Sequence, residues 1–290
     1  MQPTVAQYTR RWLEVVRATR AQATWRCYSW IMRGYVVPQW GTLVLRDLSR
    51  SRAIDIVLAA SPLISRGSLC LLVAVLRSML GAALDEGVVN SNPATGLVRR
   101  LRLRSASEAQ QRAMTREDLS RFLLVAESNP APWPLLWHLL AGAGLRVGEA
   151  LALRVVDVDL VGRVIRVGSA SAKNGHARWV EIPEELARRL GTHASRRKEG
   201  LLIVNRGGGP LKARWVRRRF KHVAKEAGLA RRMSPHTLRH TYASVLVSAG
   251  APLEWVRRQL GHSSIRLTAD LYGRHLPMTG RRFLKALDKV

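Results

Sequence analysis

Apolar residues recur at helical spacing through the first third of the chain, and this pattern predicts a small bundle of helices. Residues 4–18 and 23–37 each carry one apolar helical face, and the second stretch ends before Pro38. A third helical stretch opens at residues 47–49, and a long apolar one runs from residue 66 to 84. Four helices with short connections predict an all-helical bundle around one core.

The helical pattern is interrupted between residues 92 and 113. Asn92-Pro93 stops the bundle, and residues 98–112 are basic and polar without a long apolar face, as expected for an interdomain linker. The pattern resumes at Met114, where Thr115 is placed to cap a new helix. We therefore predict a helical domain over 1–97, a linker over 98–112 and a second domain over 113–290.

The second domain combines helices with short strands. Alternating apolar and polar residues predict strands at 163–167 and 178–182, joined by residues 169–176 with a tight turn at Asn174-Gly175. A further short strand is predicted at 201–204. Helices are predicted at 119–126, 133–141, 147–153, 183–190, 213–227, 234–250, 253–260 and 265–272. The predicted fold class is mainly α with a small β-sheet.

The charge of the chain predicts a polyanionic partner. Its 290 residues include 48 Lys and Arg against 20 Asp and Glu, a formal net charge of +28, and nucleic acid is the commonest partner of such proteins. An acidic membrane surface is the competing interpretation, although no apolar run reaches the ~18 residues of a membrane span. Five arginines on the first two helices either contact phosphates or are solvated: Arg10, Arg11, Arg17, Arg20 and Arg26.

No motif for a metal or a nucleotide cofactor is evident in the sequence. Cys27 and Cys70 lie far apart in apolar helical patterns, where we expect buried free thiols, and no Cys-x-x-Cys zinc pattern occurs. Residues 207–210 lack the Lys-Ser/Thr ending of a phosphate-binding loop and are typical of a turn. We therefore expect neither a cofactor nor a metal.

Candidate chemistry gathers in the last third of the chain. Ser234 as N-cap and Pro235 at the first helical position begin a helix whose first turn carries His236 and Arg239 on one face. The unpaired N–H groups of that turn add a further attraction for an anion. His262 lies in the turn after the following predicted helix, residues 253–260. Either histidine could donate to a phosphate oxygen or carry a proton.

Three further residues would complete a site for phosphodiester chemistry. Arg146 precedes a helix, so that it could clamp the charged non-bridging oxygens together with Arg239. Lys173, on the predicted hairpin, could protonate a leaving 5′ oxygen. Tyr272 could act as a nucleophile if neighbouring cations activate its phenol. Each residue alone also has an ordinary interpretation: a surface arginine, a solvated lysine, a capping histidine or a packing aromatic.

Four short motifs occur in order along the second domain. They are Ala143-Gly144-Leu145-Arg146-Val147-Gly148-Glu149, His236-Thr237-Leu238-Arg239-His240, Leu260-Gly261-His262 and Thr268-Ala269-Asp270-Leu271-Tyr272. Together they strongly resemble the tyrosine recombinase (phage integrase) family, over essentially the whole chain. The resemblance implies a four-helix, SAM-like core-binding domain followed by an α+β catalytic domain. It implies an activating set and a nucleophile, Arg146, Lys173, His236, Arg239, His262 and Tyr272, with Glu149 orienting Arg146 or a neighbouring histidine.

The same resemblance implies a mechanism and partners. Tyr272 would cut a strand of double-stranded DNA, leaving a 3′-phosphotyrosyl link and a 5′-hydroxyl, and a hydroxyl of the partner duplex would then attack that link without metal or ATP. Self-association to a tetramer on paired DNA sites is implied, accessory DNA-bending proteins are possible, and a membrane is not expected. We expect a cytoplasmic, nucleoid-associated protein, bacterial or phage-encoded, that serves a phage or other mobile element. Because the bundle begins about ten residues from Met1, we expect no additional arm-binding domain.

Three other functions remain open at this stage. A type IB topoisomerase-like enzyme would rejoin the same strand, but the two-domain arrangement and the short C-terminal tail favour recombination. A DNA-binding regulator that has lost catalysis is disfavoured by the complete set of six residues. A metal-dependent nuclease using the histidines would need a carboxylate cluster, which is not evident in the sequence.

Overall fold

The chain divides into two compact units, Met1–Ala109 and Gln110–Val290, and each is described by itself. The structure, a computed structural model, describes residues 2–103, 113–168, 177–195, 199–229, 233–265 and 268–269. As predicted, the fold is mainly helical with a small antiparallel sheet in the second unit.

The first unit is a bundle of helices. Its α-helices are α1 (Val5–Thr19), α2 (Gln22–Ile31), α3 (Val37–Trp40), α4 (Arg50–Ala60), α5 (Arg66–Asp85) and α6 (Leu97–Arg100). Side-chain caps fix where several of them begin. The Thr4 hydroxyl accepts from the backbone N–H of Gln7 at 3.2 Å, and the Gln7 amide oxygen accepts from the N–H of Thr4 at 2.9 Å. The Ser49 and Ser65 hydroxyls cap α4 and α5 by accepting from the backbone N–H of Arg52 and Ser68.

Helix α5 lies at the centre of this bundle. Among the described residues it is also the one helix long and apolar enough to cross a membrane by length and composition alone. Its side chains Leu72, Leu76, Met79 and Leu80 are fully buried in the core of the unit. Packing in the bundle therefore accounts for its apolar character. Arg77 interrupts the apolar run, which is why the sequence predicted no span here.

Two predictions for the first unit are wrong. The second helix does not end before Pro38, because α2 continues through a π-helical turn, Met32–Val36, into α3. Pro38 lies in the first turn of α3, where its missing N–H is no loss, and the wider π turn precedes it. Cys27 and Cys70 are free but only half-buried.

The predicted linker begins inside this unit. Leu97, at the start of α6, is fully buried and Leu103 is nearly so, and both belong to the core of the first unit. The chain therefore remains packed against the bundle to at least Leu103, because these two leucines add their apolar surface to its core. Residues 104–112 lie outside the described residues.

The second unit arranges helices around a small sheet. Its helices are α7 (Arg116–Glu127), α8 (Trp133–Gly142), α9 (Val147–Ala152), α10 (Glu184–Ala194), α11 (Ala213–Glu226), α12 (Pro235–Ser248) and α13 (Leu253–Leu260). Strands β1 (Val158–Asp159), β2 (Val164–Val167) and β3 (Arg178–Glu181) pair antiparallel in chain order. Ile165 pairs with Val180, and both are fully buried.

The strand predictions need two corrections. Strand β1 was not predicted, because its two residues are too few to show alternation. Residues 201–204 form no ladder; Leu201 bridges Arg154, and Val204 bridges Pro210 across the glycine-rich turn.

Aromatic packing fixes the helices that carry the site. Phe122 of α7, Trp137 of α8 and Phe220 of α11 meet with ring centroids 5.0–5.9 Å apart and are fully buried. Helix α12 packs against α8 and is tied to the start of the unit, since the Thr241 hydroxyl accepts from the N–H of Met114 at 2.9 Å. The turn after α8 and the first turn of α12 therefore have defined positions.

Candidate active site

Arg146 lies directly before α9 and is held by the residue one turn along that helix. Its backbone N–H donates to Oε2 of Glu149 at 2.9 Å, and its Nη1 donates to Oε1 at 2.7 Å. Its Nη2 donates to the carbonyl of Gly261 at 3.2 Å. The side chain is still 23% exposed. The guanidinium is thus oriented by protein groups and accessible to a ligand.

Arg239 lies in the first turn of α12 and is buried, with 1% of its surface exposed. Its Nη1 donates to the carbonyl of Gly144 at 2.6 Å, and its Nη2 donates to the carbonyl of Leu260. Oε2 of Glu149 lies 3.9 Å from Nη1. A buried guanidinium is costly unless it is paired and hydrogen-bonded, and these contacts fix it in one orientation.

Glu149 joins the two arginines to a third, Arg178 at the start of β3. Arg178 donates from Nη1 to Oε1 at 3.0 Å and from Nη2 to Oε2 at 2.8 Å, a bidentate pair. The Glu149 side chain is 1% exposed. Burial raises the pKa of Glu149, but the hydrogen bonds and charges of Arg178 and Arg146 outweigh it and hold that pKa below its ordinary value. One ionised carboxylate therefore lies among three guanidinium groups, which leaves a surplus of positive charge.

Sequence reasoning missed Arg178. It looked like an ordinary residue at the end of a predicted strand, yet it alternates in phase with the buried Val180, whereas Trp179 between them is 60% exposed. An arginine on the inward face of a strand needs a buried partner, and that alternation could have indicated its role. The expectation that Glu149 orients Arg146 agrees with the geometry.

The C-terminal end of α13 holds all three arginines. The carbonyls of Gln259, Leu260 and Gly261 accept from Arg178 (2.9 Å from Nε), Arg239 and Arg146 respectively. The last carbonyls of a helix have no partner within the helix and lie at the negative end of its dipole. The arginines supply both the missing donors and the opposite charge.

Two glycines make this arrangement possible. Gly144 has a φ of +59°, and a Cβ there would lie 2.4 Å from the buried ring of Tyr242. Gly261 has a φ of +61°, and a Cβ there would lie 2.9 Å from the guanidinium of Arg178. Each presents its carbonyl to an arginine of the site, and neither backbone nor space would accept a side chain.

His262 is buried beside this cluster. Its Nδ1 lies 2.9 Å from the Thr268 hydroxyl, and it is 7% exposed. Burial, together with the charges of Arg239 and Arg146, lowers the pKa of His262 to about 3. The imidazole is therefore neutral at physiological pH, so it can donate one hydrogen bond to an anion but does not add charge.

His236 lies on the exposed side of the first turn of α12. Its ring meets that of His240, one turn on, edge to face with centroids 4.7 Å apart. His240 is 9% exposed, and burial and the charge of Arg239 lower its pKa. Sequence reasoning did not single out His240, although its place one turn beyond His236 indicates contact.

The structure thus brings together Arg146, Arg239 and His262, with His236 on the first turn of the same helix as Arg239. Lys173 and Tyr272 lie outside the described residues, as do the predicted hairpin turn and the predicted helix beyond residue 269. Within the described part of the chain, no group of three or more His, Cys, Asp or Glu could hold a metal ion.

The chain matches the model of the phage integrase family over residues 112–278, more than half of its length. The chain belongs to the phage integrase family. Phage integrase family members are tyrosine recombinases, enzymes that cut and rejoin DNA strands.

Curated relatives agree with this assignment. The chain is 34% identical over 137 residues to tyrosine recombinase XerD of Corynebacterium glutamicum, a match that spans 46% of this chain and 45% of that protein. It is 26% identical to a XerC-like tyrosine recombinase of Caldanaerobacter subterraneus subsp. tengcongensis, over 99% of this chain and 83% of that protein. The match to XerD thus spans about half the length of that relative.

Solved integrase structures share the fold. The Tn1549 transposon integrase in complex with a circular intermediate DNA superposes with a TM-score of 0.82 at 19% identity, over 99% of this chain and 100% of that one. A lambda integrase dimer bound to a core site superposes with a TM-score of 0.75 at 18% identity, covering 91% and 97% of the two chains. At these identities the likeness concerns the fold.

Proposed function

We propose that this protein is a site-specific DNA recombinase that cuts and rejoins strands through a 3′-phosphotyrosyl intermediate. The observation that carries the proposal is the cluster of Arg146 and Arg239 around the buried Glu149, with His262 beside it. Its surplus of positive charge, in a setting that is partly shielded from water, suits a phosphodiester whose oxygens gain charge during attack.

Each residue has a distinct role in the proposed reaction. Arg146 and Arg239 bind the non-bridging oxygens, and neutral His262 donates a hydrogen bond to one of them. His236, on the exposed side of α12, is placed to exchange the proton of the attacking hydroxyl. Tyr272 attacks phosphorus, so that a P–O bond to the tyrosine forms while the bond to the 5′ oxygen breaks. Lys173 gives that oxygen its proton.

Helix α11 is our candidate for a surface that contacts the DNA backbone. Trp215, 44% exposed, has the guanidinium groups of Arg214 and Arg218 over its ring at 5.3 and 5.7 Å. Arg219 lies over Trp133 at 5.5 Å. A cleft of ≈ 750 Å³ is lined by Trp215, Arg218, Arg219 and residues of the 205–211 turn. Stacked arginines keep donors for phosphates, which supports contact with a polyanion.

The first unit would supply the remaining DNA contacts as a core-binding domain, which extends past the predicted boundary at residue 97 because Leu103 packs in its core. The five arginines predicted for the first two helices are all exposed; Arg20 lies between α1 and α2, and Arg11 also pairs with Glu86 at 3.1 Å. Lambda integrase has been solved as a dimer on a core site and as a tetramer on a Holliday junction. We propose the same self-association here, on paired DNA sites in the cytoplasm.

The biological substrate has two candidates. The likeness to a transposon integrase favours integration and excision of a phage or other mobile element. The curated relatives favour a recombinase of the XerC or XerD kind. The protein would be isolated from cells under denaturing conditions, and the DNA that stays covalently attached to it would be sequenced. Ends of a mobile element would support the first candidate, and one fixed chromosomal locus would support the second.

The recovered site then tests the chemistry. The site would be placed on a nicked duplex, from which the short cleaved fragment dissociates so that rejoining is prevented. The parent protein should then form a denaturation-resistant adduct, and EDTA should not prevent this. Tyr272→Phe should form no adduct. Tyr242→Phe is the matched control: this buried phenol lies beside Gly144, burial raises its pKa to about 12, and its loss should leave the adduct intact.

The opposite pattern would contradict the proposal. An adduct with Tyr272→Phe would show that another residue is the nucleophile. Loss of the adduct in EDTA would favour a metal-dependent nuclease. Arg146→Ala should bind the site and react about 10²-fold more slowly, as expected when one charged contact to the transition state is removed.

A further inference from the structure

We infer that Arg178 is a positioning residue of the recombination reaction. It fixes the phosphate clamp, which is the pair Arg146 and Arg239, through Glu149 and through the end of α13. The inference rests on the proposed function and extends it to a residue outside the six that the sequence suggested.

The carboxylate of Glu149 is saturated by four hydrogen bonds. Oε1 accepts from Nη1 of Arg146 and Nη1 of Arg178, and Oε2 accepts from the backbone N–H of Arg146 and Nη2 of Arg178. A carboxylate offers about four lone-pair positions, so all of them are filled. Arg178 supplies half of these bonds and, with 10% of its side chain exposed, is more deeply buried than Arg146.

Removal of Arg178 would change where the clamp points. Two lone-pair positions of a buried carboxylate would be left without donors, and a buried charge in that state attracts any donor nearby. The nearest is Arg239, whose Nη1 lies 3.9 Å from Oε2, followed by the remaining donors of Arg146. Either guanidinium would turn toward Glu149 and away from the phosphate. Misplacement of a reacting group by about 1 Å can cost ~10²-fold in rate.

Arg178 also sets the position of α13. Its Nε donates to the carbonyl of Gln259 at 2.9 Å, and the Gln259 side chain in turn accepts from the N–H of Glu181, on the same strand, at 3.0 Å. The two residues that follow, Leu260 and Gly261, offer the carbonyls that hold Arg239 and Arg146. The Arg178 side chain therefore connects β3, Glu149 and the end of α13. That helix end holds the other two arginines and is followed directly by His262.

The position of Arg178 in the fold argues against contact with the DNA itself. Nε, Nη1 and Nη2 each donate to a buried protein acceptor, and the guanidinium fills the space next to Gly261. A bidentate pair plus a third bond uses the fork of an arginine in a way that a lysine ammonium cannot reproduce. The role is therefore to hold the clamp, and it depends on geometry as well as on charge.

The test uses the full-length protein, the trapped-adduct assay and three variants. Arg178→Gln removes the charge, and Arg178→Lys keeps the charge without the fork. Arg166→Gln is the matched control, because Arg166 on the neighbouring strand β2 also pairs with a carboxylate, that of Asp157 at 3.2 Å, but is 55% exposed. Measurements are the single-turnover rate of adduct formation, the Kd for the site, and thermal unfolding.

We expect Arg178→Gln to slow adduct formation about 10²-fold with a Kd within about twofold of the parent, because binding is dominated by other phosphate contacts. Arg178→Lys should recover part of the rate and should remain folded if Arg178→Gln does not. Arg166→Gln should match the parent. A rate for Arg178→Gln within about twofold of the parent would overturn the inference. If Arg178→Gln does not fold, the same result for Arg178→Lys would overturn it.

A second substrate separates positioning from a general structural defect. Replacing one non-bridging oxygen of the scissile phosphate by methyl removes its negative charge, so a displaced guanidinium clamp matters less. The parent-to-variant rate ratio should therefore fall at least tenfold on this neutral substrate. An equal ratio on both substrates would also overturn the inference. If the parent forms no adduct on either, the proposed function fails, and the inference fails with it.

Discussion

Glu149 and Glu185 of the second unit each bind two or more arginines, and the two clusters differ mainly in depth. Glu149 has a side chain 1% exposed and binds Arg146 and Arg178 at 2.7–3.0 Å. Glu185, on α10, is 54% exposed and binds Arg188 and Arg189 at 2.8–2.9 Å. By distance alone the two clusters are equivalent.

Their difference teaches that burial decides what an ion pair does. At Glu185, water can replace either partner, so the cluster contributes little and is weakened by salt. At Glu149, water is excluded, and loss of one charge leaves the others unpaired in a medium of low polarity. The buried cluster is consequently a rigid device whose parts depend on one another, which is the property a catalytic site needs.

The largest expected effect comes from Glu149→Gln. This change keeps the size of the side chain but leaves the guanidinium groups without their anion, and we expect a loss of about 3–5 kcal/mol in the free energy of unfolding. Urea denaturation measures it. Glu185→Gln, the matched change in the exposed cluster, should give no resolvable change. Similar losses in both variants would show that burial is not the deciding factor.

A smaller effect is expected from Gly144→Ala, which tests the backbone that supports the buried cluster. The positive φ and the 2.4 Å approach to Tyr242 should together cost about 2–3 kcal/mol, and Arg239 should lose its carbonyl partner. Gly148→Ala in α9 is the control, since a Cβ there meets nothing within 4 Å and helix propensity should make it neutral or stabilising. Equal unfolding midpoints for the two variants would contradict this reading.

The smallest effect concerns pH. Burial and the charges of Arg239 and Arg146 lower the pKa of His262 from 6.5 to about 3, so between these values the unfolded chain binds the extra proton. Stability should therefore fall as the pH drops below ~6.5, by at most about 1.4 kcal/mol per pH unit for this group. His240, whose pKa is also lowered, acts in the same direction.

Comparison with His262→Asn isolates the contribution of His262. Between pH 6.5 and 5 the free energy of unfolding of the parent should fall by up to about 2 kcal/mol more than that of the variant. Glu149 contributes only at lower pH, because its depressed pKa lies below 4.5. Parallel pH profiles for the two proteins would show that His262 is not held neutral by the charges of Arg239 and Arg146.

Local signals predicted much of the fold. Thr115 begins α7 and Gly228 follows α11 with a φ of +68°, as the capping rules require. Pro38 misled the prediction because a π turn, set by packing, placed the proline where a helix tolerates it. The two-residue strand β1 is equally invisible to periodicity, since it exists only through its pairing with β2.

The site was predictable only in part, for a similar reason. Arg146 and Arg239 stand at element starts within recognisable motifs, so their sequence context identified them. Arg178 and the carbonyls of α13 do not form a motif, because their role arises from contacts between residues about eighty positions apart, such as Arg178 and Gln259. The roles of Lys173 and Tyr272 remain predictions.

The end of α13 also limits how this protein can change. Three consecutive carbonyls each accept from a different arginine, so the helix can pack against its neighbours in only one register. Deleting or inserting one residue within Leu253–Leu260 would rotate the helix end by about 100° and shift it by about 1.5 Å. Every carbonyl would then face the wrong partner. The length of α13 is therefore fixed, and the helix can vary only by substitution.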